Sequence, residues 1–217
     1  VIRYLLFDVD DTLYPRSSPI WPLLRERIIS YMLERLGMTR PEAEALRAHY
    51  LKEYGTTTRG LYLHNHINIH DYLAYVHDVS LNAILQCDDA LNGALAQIPA
   101  EKCLFTNASR QHGRNVVEAL GISQHFTHIF GLEDFDFHSK PDPYGYHIAL
   151  TRLGVGGAAC MMIEDSARNL VTAKELGMTT VLVDDTLPAP SAVIDYVIPR
   201  VHDIVRVWRV VSQNGEG

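Results

Sequence analysis

Residues 2–6 form a short apolar run of the kind that fills a buried parallel strand. The stretch Phe7-Asp8-Val9-Asp10-Asp11-Thr12-Leu13-Tyr14 follows it directly. After Pro15 the apolar period changes. Leu23, Leu24, Ile28, Ile29, Met32, Leu33 and Leu36 recur at helical spacing and Gly37 follows, which predicts a helix over 20–36. Thr39-Arg40-Pro41-Glu42 has the form of a capping box, so a second helix is expected to start there, run to about residue 54 and stop at Gly55. Residues 56–61, Thr-Thr-Thr-Arg-Gly-Leu, are polar and poorly periodic and are expected to form a loop. Two further helices are predicted over 71–76 and 88–95.

From Lys102 onward the pattern alternates. Apolar runs at 103–105, 128–130, 159–163, 179–183 and 195–198 predict strands. Between and after them, helical spacing recurs over 115–120, 144–153, 167–176 and 202–211, three times with glycine at the end. Strands alternating with helices imply right-handed βαβ units and a parallel sheet. The fold class expected is α/β, a Rossmann-like three-layer α/β/α core interrupted after its first strand by an all-helical insertion. The boundaries drawn are 1–15 and 99–217 for the core and 16–98 for the insertion. No internal repeat or low-complexity segment is present, and Pro188-Ala189-Pro190-Ser191 is the only linker-like patch.

Polar groups collect at the strand ends. Alternate residues of an extended chain point the same way, so Asp8, Asp10 and Thr12 share one side as the first strand runs out. Thr106/Asn107, Glu164/Asp165 and Asp184/Asp185 follow three later strands, and Lys140 lies in the loop His138-Ser139-Lys140-Pro141-Asp142-Pro143. In a parallel sheet these ends lie along one edge, the ligand-binding edge of open α/β folds. Carboxylates gathered there repel unless a cation joins them, and hard oxygen ligands fit Mg²⁺. Such a site suits phosphoryl transfer.

The net charge of −7 leaves no basic excess for a nucleic-acid polymer as main partner. A small phosphorylated substrate needs only local positive charge. No run approaches ~20 apolar residues, so no membrane partner is expected. The first residues lack the basic region and apolar core of a signal peptide. Cys87, Cys103 and Cys160 show no metal-type spacing, and the last two lie in strand-like runs. Buried, reduced thiols and a cytoplasmic location are the expectation.

Four of these strand-end groups, in this order, resemble the motifs of the haloacid dehalogenase (HAD) superfamily, in its phosphatase branch. Asp8-Val9-Asp10-Asp11-Thr12 is similar to the first motif, Thr106 to the second, Lys140 to the third and Glu164-Asp165 to the fourth. The helical insertion resembles the family's C1 cap domain. The resemblance implies that Asp8 is a nucleophile forming an aspartyl-phosphate and that Asp10 is general acid and then base. It implies that Thr106 binds the phosphate and that Lys140 neutralises it and Asp8. Asp8, the backbone carbonyl of Asp10, and Asp165 would hold Mg²⁺, with Glu164 and Asn169 supporting them. As general acid, Asp10 is expected to be protonated near neutrality, well above its reference pKa of ~3.9. A second aspartate at position 10 also favours phosphate esters over carbon–halogen substrates, and Lys52, the one lysine of the insertion, is expected to be solvated rather than a Schiff-base former.

The finer resemblance is to pyrimidine 5′-nucleotidase-like members. It rests on the first motif through Tyr14-Pro15, on Tyr54 to Leu61 of the cap, on Phe135 to Asp142, and on Glu164 to Asn169. Many relatives carry glycine at the Asp11 position and aspartate at the Glu164 position. The implied substrate is a nucleoside 5′-monophosphate, with Thr12, Asn107, Tyr14 and the cap residue Arg59 expected to contact it. A sugar or small-metabolite phosphatase, a phosphomutase, and a catalytically idle binding protein on the same fold are the alternatives. His64, His66 and His70 have metal-like spacing without a completing cluster and are expected at the surface or near substrate. Tyr54, Tyr62 and Tyr72 are expected in packing, and Asp184/Asp185 at the surface.

Overall fold

A computed structural model describes residues 1–213; the last four positions of the 99–217 segment lie outside the described residues. Six parallel strands make one sheet: β1 (Tyr4–Phe7), β2 (Glu101–Phe105), β3 (Phe126–Phe130), β4 (Cys160–Glu164), β5 (Thr179–Val183) and β6 (Tyr196–Ile198), ordered β3-β2-β1-β4-β5-β6. The three-layer α/β core expected from the alternating pattern is therefore present. All four residues of β1 are buried, as a central strand covered on both faces requires. Its alternation sorts the core into two layers. Tyr4 and Leu6 join Phe105, Met162, Tyr146 and Leu170 on one face, whereas Leu5 and Phe7 join Leu104, Ile163, Val116 and Ile204 on the other. The first face is covered by α7 (Pro143–Leu153) and α8 (Ala167–Glu175), the second by α6 (Arg110–Ala119) and α9 (Ile204–Gln213).

The strand order reverses between β1 and β4, and register aligns their ends. Phe7 stands level with Leu104 of β2 and Ile163 of β4. The next residues, Asp8, Phe105 and Glu164, therefore finish side by side at the switch point where such folds bind ligands.

The insertion holds α1 (Ile20–Leu36), α2 (Arg40–Tyr54), α3 (Thr57–His64), α4 (Ile69–Val76) and α5 (Asp89–Ala96). The caps fall where the sequence places them. Gly37 and Gly55 end α1 and α2 in left-handed conformation, at φ 69° and 78°, and the Thr39/Glu42 capping box opens α2. The expected loop over 56–61 is instead the start of α3. The Thr56 side chain accepts from the Arg59 N–H and caps the helix, while Leu61 is fully buried. Gly60 lets α3 approach α2, because a Cβ there would lie 2.1 Å from Tyr50 Cγ. Helices α1, α2, α3 and α4 pack on one another, whereas α5 packs on α9 and the turn before it. His202 Nε2 lies 2.9 Å from Asp88 Oδ2, and Arg209 donates to Gln97 at 2.9 Å.

Helix α6 also begins five residues earlier than the apolar period indicates. Ser109 caps it by accepting from the His112 N–H, and the extra turn carries His112 to the sheet edge. Cys103 and Cys160 are buried, Cys87 is exposed, and all three thiols are free. Among the described residues no helix is long and apolar enough to cross a membrane.

Candidate active site

Lys140 binds three adjacent strand ends at once. Its Nζ donates to Asp8 Oδ1 at 2.7 Å and to the Phe105 carbonyl at 2.7 Å, and lies 3.0 Å from Glu164 Oε1. These are the three positions that register sets level. The loop is fixed from behind: Asn107 Oδ1 accepts from the Lys140 N–H at 2.7 Å, and Asn107 Nδ2 donates to the Lys140 carbonyl at 3.1 Å. Asn107 borders the cavity described below, but both ends of its amide hold Lys140 rather than facing a ligand. Thr12, expected to contact substrate, is buried and donates to Asp8 Oδ2 at 3.2 Å.

Burial and the charge of Glu164 push the Asp8 carboxyl up to about 7, against the pull of Lys140. Burial would also raise Glu164, yet the Lys140 charge and side-chain hydrogen bonds from the Asp165 carboxyl and Asn169 hold it below the usual carboxylate range. Glu164 is fully buried with both oxygens occupied. Oε2 accepts from the N–H groups of Asp165 (2.9 Å) and Ser166 (3.2 Å), and Oε1 accepts from Asn169 Nδ2 beside Lys140. Glu164 and Asn169 thus stand behind the lysine.

Asp10 departs from expectation. Its Oδ1 accepts from Tyr14 OH and lies 2.7 Å from His112 Nε2. Burial favours the neutral acid, but the His112 charge, its hydrogen bond and that of Tyr14 outweigh it and hold Asp10 at about 2. The expected elevation is therefore corrected to a depression, with the His112 imidazole as its cause. Burial disfavours a charge on His112, but Asp10 and Asp8 raise its pKa. His77, at the end of α4, stacks on His112 with centroids 4.5 Å apart, and its Nδ1 lies 3.1 Å from Ser109 Oγ. Burial and the His112 charge push His77 down to about 3. The proton of this group therefore resides between His112 and Asp10. Tyr14, expected to line the substrate pocket, instead holds Asp10. Neither histidine stands out in the sequence, because His112 lies 102 residues from Asp10.

Oxygens of Asp8, Glu164 and Asp165 lie within 4.8 Å of one another, a hard all-oxygen set that could hold a metal ion. Burial and the neighbouring carboxylates Glu164 and Asp8 push Asp165 up to about 8. Three carboxyl groups packed this closely repel as carboxylates unless a cation joins them, so the residues fit a divalent metal. Glu164 accepts two donors on each oxygen, whereas Asp8 accepts one on each, so Asp8 and Asp165 are the carboxylates with capacity left. The Asp10 side chain is outside this group. Arg16, on the loop after β1, donates to the Asp165 carbonyl at 2.7 Å and to its Oδ2 at 2.8 Å.

These groups border a cavity of about 380 Å³ between the strand ends and the insertion. Asp8, Asp10, Thr106, Asn107 and Asp165 line it on the core side. Thr106 is buried, and its Oγ1 accepts from the Ala108 N–H at 3.0 Å. Asp11 lies at φ 61°, the left-handed region that glycine favours and aspartate tolerates, which accounts for glycine in many similar first motifs. Arg59 does not reach the cavity lining; its guanidinium meets the Phe137 carbonyl at 3.3 Å and His138 Nδ1 at 3.4 Å, tying α3 to the Lys140 loop. His64 Nε2 lies 2.7 Å from Tyr54 OH, Tyr62 packs on Phe137, and Asp184 accepts from Thr186. Lys52 is exposed.

Comparison with known proteins agrees with this geometry. A haloacid dehalogenase-like hydrolase profile matches residues 2–177. Phosphate metabolism protein 8 of Saccharomyces cerevisiae is 28% identical over 195 residues, covering 83% of this chain and 61% of that protein. The chain thus spans about three fifths of the length of that relative. Validoxylamine A 7'-phosphate phosphatase of Streptomyces hygroscopicus subsp. limoneus is 24% identical over 197 residues, covering 87% of this chain and 89% of that protein. A HAD phosphatase from Thermococcus onnurineus shares the fold, with a TM-score of 0.63 at 17% identity over 95% of this chain and 97% of that one. The profile covers every motif from Asp8 to Asp165, and the chain belongs to the haloacid dehalogenase-like hydrolases.

Proposed function

We propose that the chain is a Mg²⁺-dependent phosphomonoesterase acting through an aspartyl-phosphate on Asp8, with nucleoside 5′-monophosphates, pyrimidine ones above all, as substrates. One observation carries the reaction class: buried Lys140 holds Asp8 and Glu164 together beside Asp165, behind a cavity that Asp10 also faces. A carboxylate nucleophile is repelled by a phosphate dianion, and this arrangement places one fixed cation and one metal-competent pair around it. A bound Mg²⁺ on Asp8 and Asp165 would supply the remaining positive charge for the phosphoryl oxygens.

The residues then divide the work. Lys140 and Thr12 orient the Asp8 carboxylate, one oxygen each. Asp8 forms the bond to phosphorus as the ester oxygen leaves with its electron pair. Asp10 delivers to that oxygen the proton shared with His112, and takes one back from the water that cleaves the aspartyl-phosphate. Tyr14 keeps Asp10 in place through both steps. Helices α1 to α4 act as the cap that covers the cavity. The pyrimidine preference rests on the similarity of the first motif, the 54–61 segment and the 135–142 loop to pyrimidine 5′-nucleotidase-like sequences.

The test is phosphate release, with and without Mg²⁺, from a panel of nucleotides and sugar phosphates, using Asp8→Asn as the blank. Release from UMP and CMP that vanishes in the variant supports the reading. Release from other esters keeps the mechanism and replaces the substrate. No release from any ester removes the phosphatase assignment.

A further inference from the structure

The cavity in front of Asp8 continues into the insertion, where its wall has two polar groups without a partner among the described residues. Thr57 is 3% exposed, lines the cavity, and its Oγ1 has no hydrogen bond among the described residues. Arg47, half-buried on α2, lines the same cavity. Glu44, an acid on the same helix whose charge reaches it, is directed instead to Arg40 at 3.9 Å. No carboxylate of the described residues pairs with Arg47. Tyr72 completes the group: it is 1% exposed, feels the Arg47 charge, and has its hydroxyl 3.5 Å from Thr58 Oγ1. Trp21, Leu24, Ile28, Leu51 and Val76 add apolar surface to this wall, and Thr56, Thr58 and His77 border it.

A buried hydroxyl with no partner among the described residues is unfavourable in the free protein, and a half-buried guanidinium that no carboxylate holds has donors to spare. They are relieved together by one kind of ligand group, an oxygen that accepts hydrogen bonds. Arginine presents a planar fork to such an oxygen, and threonine adds a single donor. The phosphate itself belongs at Asp8, Thr106 and the metal-competent pair. The acceptor met by Arg47 must therefore lie on the part of the substrate remote from phosphorus.

We propose that Arg47 and Thr57 form a specificity subsite for an oxygen acceptor on the leaving group of the substrate, a pyrimidine carbonyl or a carboxylate. This rests on the phosphomonoesterase reading for the position of the phosphate. It explains selection among esters by the cap while the chemistry at Asp8 stays the same.

The test measures calorimetric affinities in Mg²⁺ for three probes: UMP, phosphoglycolate and propyl phosphate, which has no remote acceptor. The protein is the Asp8→Asn form, alone and with Arg47→Met, Arg47→Lys or Thr57→Val added. The readout is the affinity ratio of each acceptor-bearing probe to propyl phosphate. Fitted stoichiometry counts the competent fraction, so partial misfolding does not mimic an effect. The expected result is a ratio at least tenfold lower with Arg47→Met, about threefold lower with Thr57→Val, and partly restored with Arg47→Lys. A loss confined to UMP identifies a nucleobase carbonyl as the occupant. A loss confined to phosphoglycolate identifies a carboxylate, which keeps the subsite and discards the nucleotide assignment. Equal weakening of all three probes in Arg47→Met, leaving both ratios unchanged, overturns the proposal.

Discussion

Metal binding at this site should release protons, and the structure says about how many. Asp8 is pushed up to about 7 and Asp165 to about 8, in each case by burial first and by neighbouring carboxylates next. At pH 7 the first is about half protonated and the second about nine-tenths protonated. A divalent cation that takes an oxygen from each displaces these protons, so Mg²⁺ binding should release about one to two protons per site at pH 7. Between pH 8 and pH 6 the competing protons should weaken apparent Mg²⁺ affinity by about a hundredfold or more. The stability of the metal-free protein has the matching sign. Carboxyls with raised folded-state values contribute stability that is fully present below about pH 4 and lost as the pH rises through about 7 and 8. Calorimetric titration of Mg²⁺ into metal-free protein, in two buffers of different ionisation enthalpy, counts the protons directly. Release near zero at pH 7, with affinity flat from pH 6 to 8, would exclude proton-linked metal binding at these carboxyls. It would mean that Lys140 and Arg16 already keep both carboxylates ionised.

Three further perturbations separate the roles of the surrounding groups. Arg16→Ala removes a competing cation from Asp165, and since the Arg16 side chain is 57% exposed the pair is worth ~1 kcal/mol at most; Mg²⁺ should bind up to about fivefold more tightly by titration, and weaker binding would show that Arg16 helps the metal. Lys140→Met leaves Asp8 and Glu164 buried without their cation and should cost about 3–5 kcal/mol in urea denaturation at pH 7, along with phosphate release; a change below about 1 kcal/mol would contradict the buried pairing. His112→Phe takes away the cation that depresses Asp10, so kcat should fall about a hundredfold with KM little changed, and His112→Gln should fall less because it keeps a donor; equal losses in the two variants would reduce His112 to packing. The wild-type pair also sets a sign at low pH, since the Asp10 contribution is present above about pH 4 and lost as the pH falls toward about 2.

Much of the architecture was legible because its signals are local. Gly37, Gly55 and Gly154 end helices in left-handed conformation, and the four motifs all fall at the carboxyl edge of the parallel sheet. The lysine and the acidic residues were legible for the same reason: each follows a recognisable strand or loop. What escaped depends on groups that meet only after folding. Residues 56–61 look like a loop by propensity, yet Thr56 caps a helix there and the gap left by Gly60 admits Tyr50. His112 has no local mark, because its role depends on an extra helical turn that the apolar period does not show. Arg59 has the composition of a ligand-contacting loop residue, but the helix it sits on turns its guanidinium to the Lys140 loop. Tyr14 and Asn107 border the predicted groups but are taken up by Asp10 and by the Lys140 backbone.

The position of β1 in the sheet also governs when this chemistry can first exist. Of the six strands, the one bearing the nucleophile is synthesised first, yet it sits between β2 and β4, and its partners on the β4 side are residues 160–163. A growing chain that has emerged only through Leu153 can offer Asp8 a lysine and the β2 edge, but not Glu164 or Asp165. The acidic pair is therefore the last part of the centre to arrive, and it arrives on the strand that completes the other side of β1. Nascent chains and C-terminal truncations ending before β4 should hold neither metal nor phosphoryl group, whatever helical structure they have already formed.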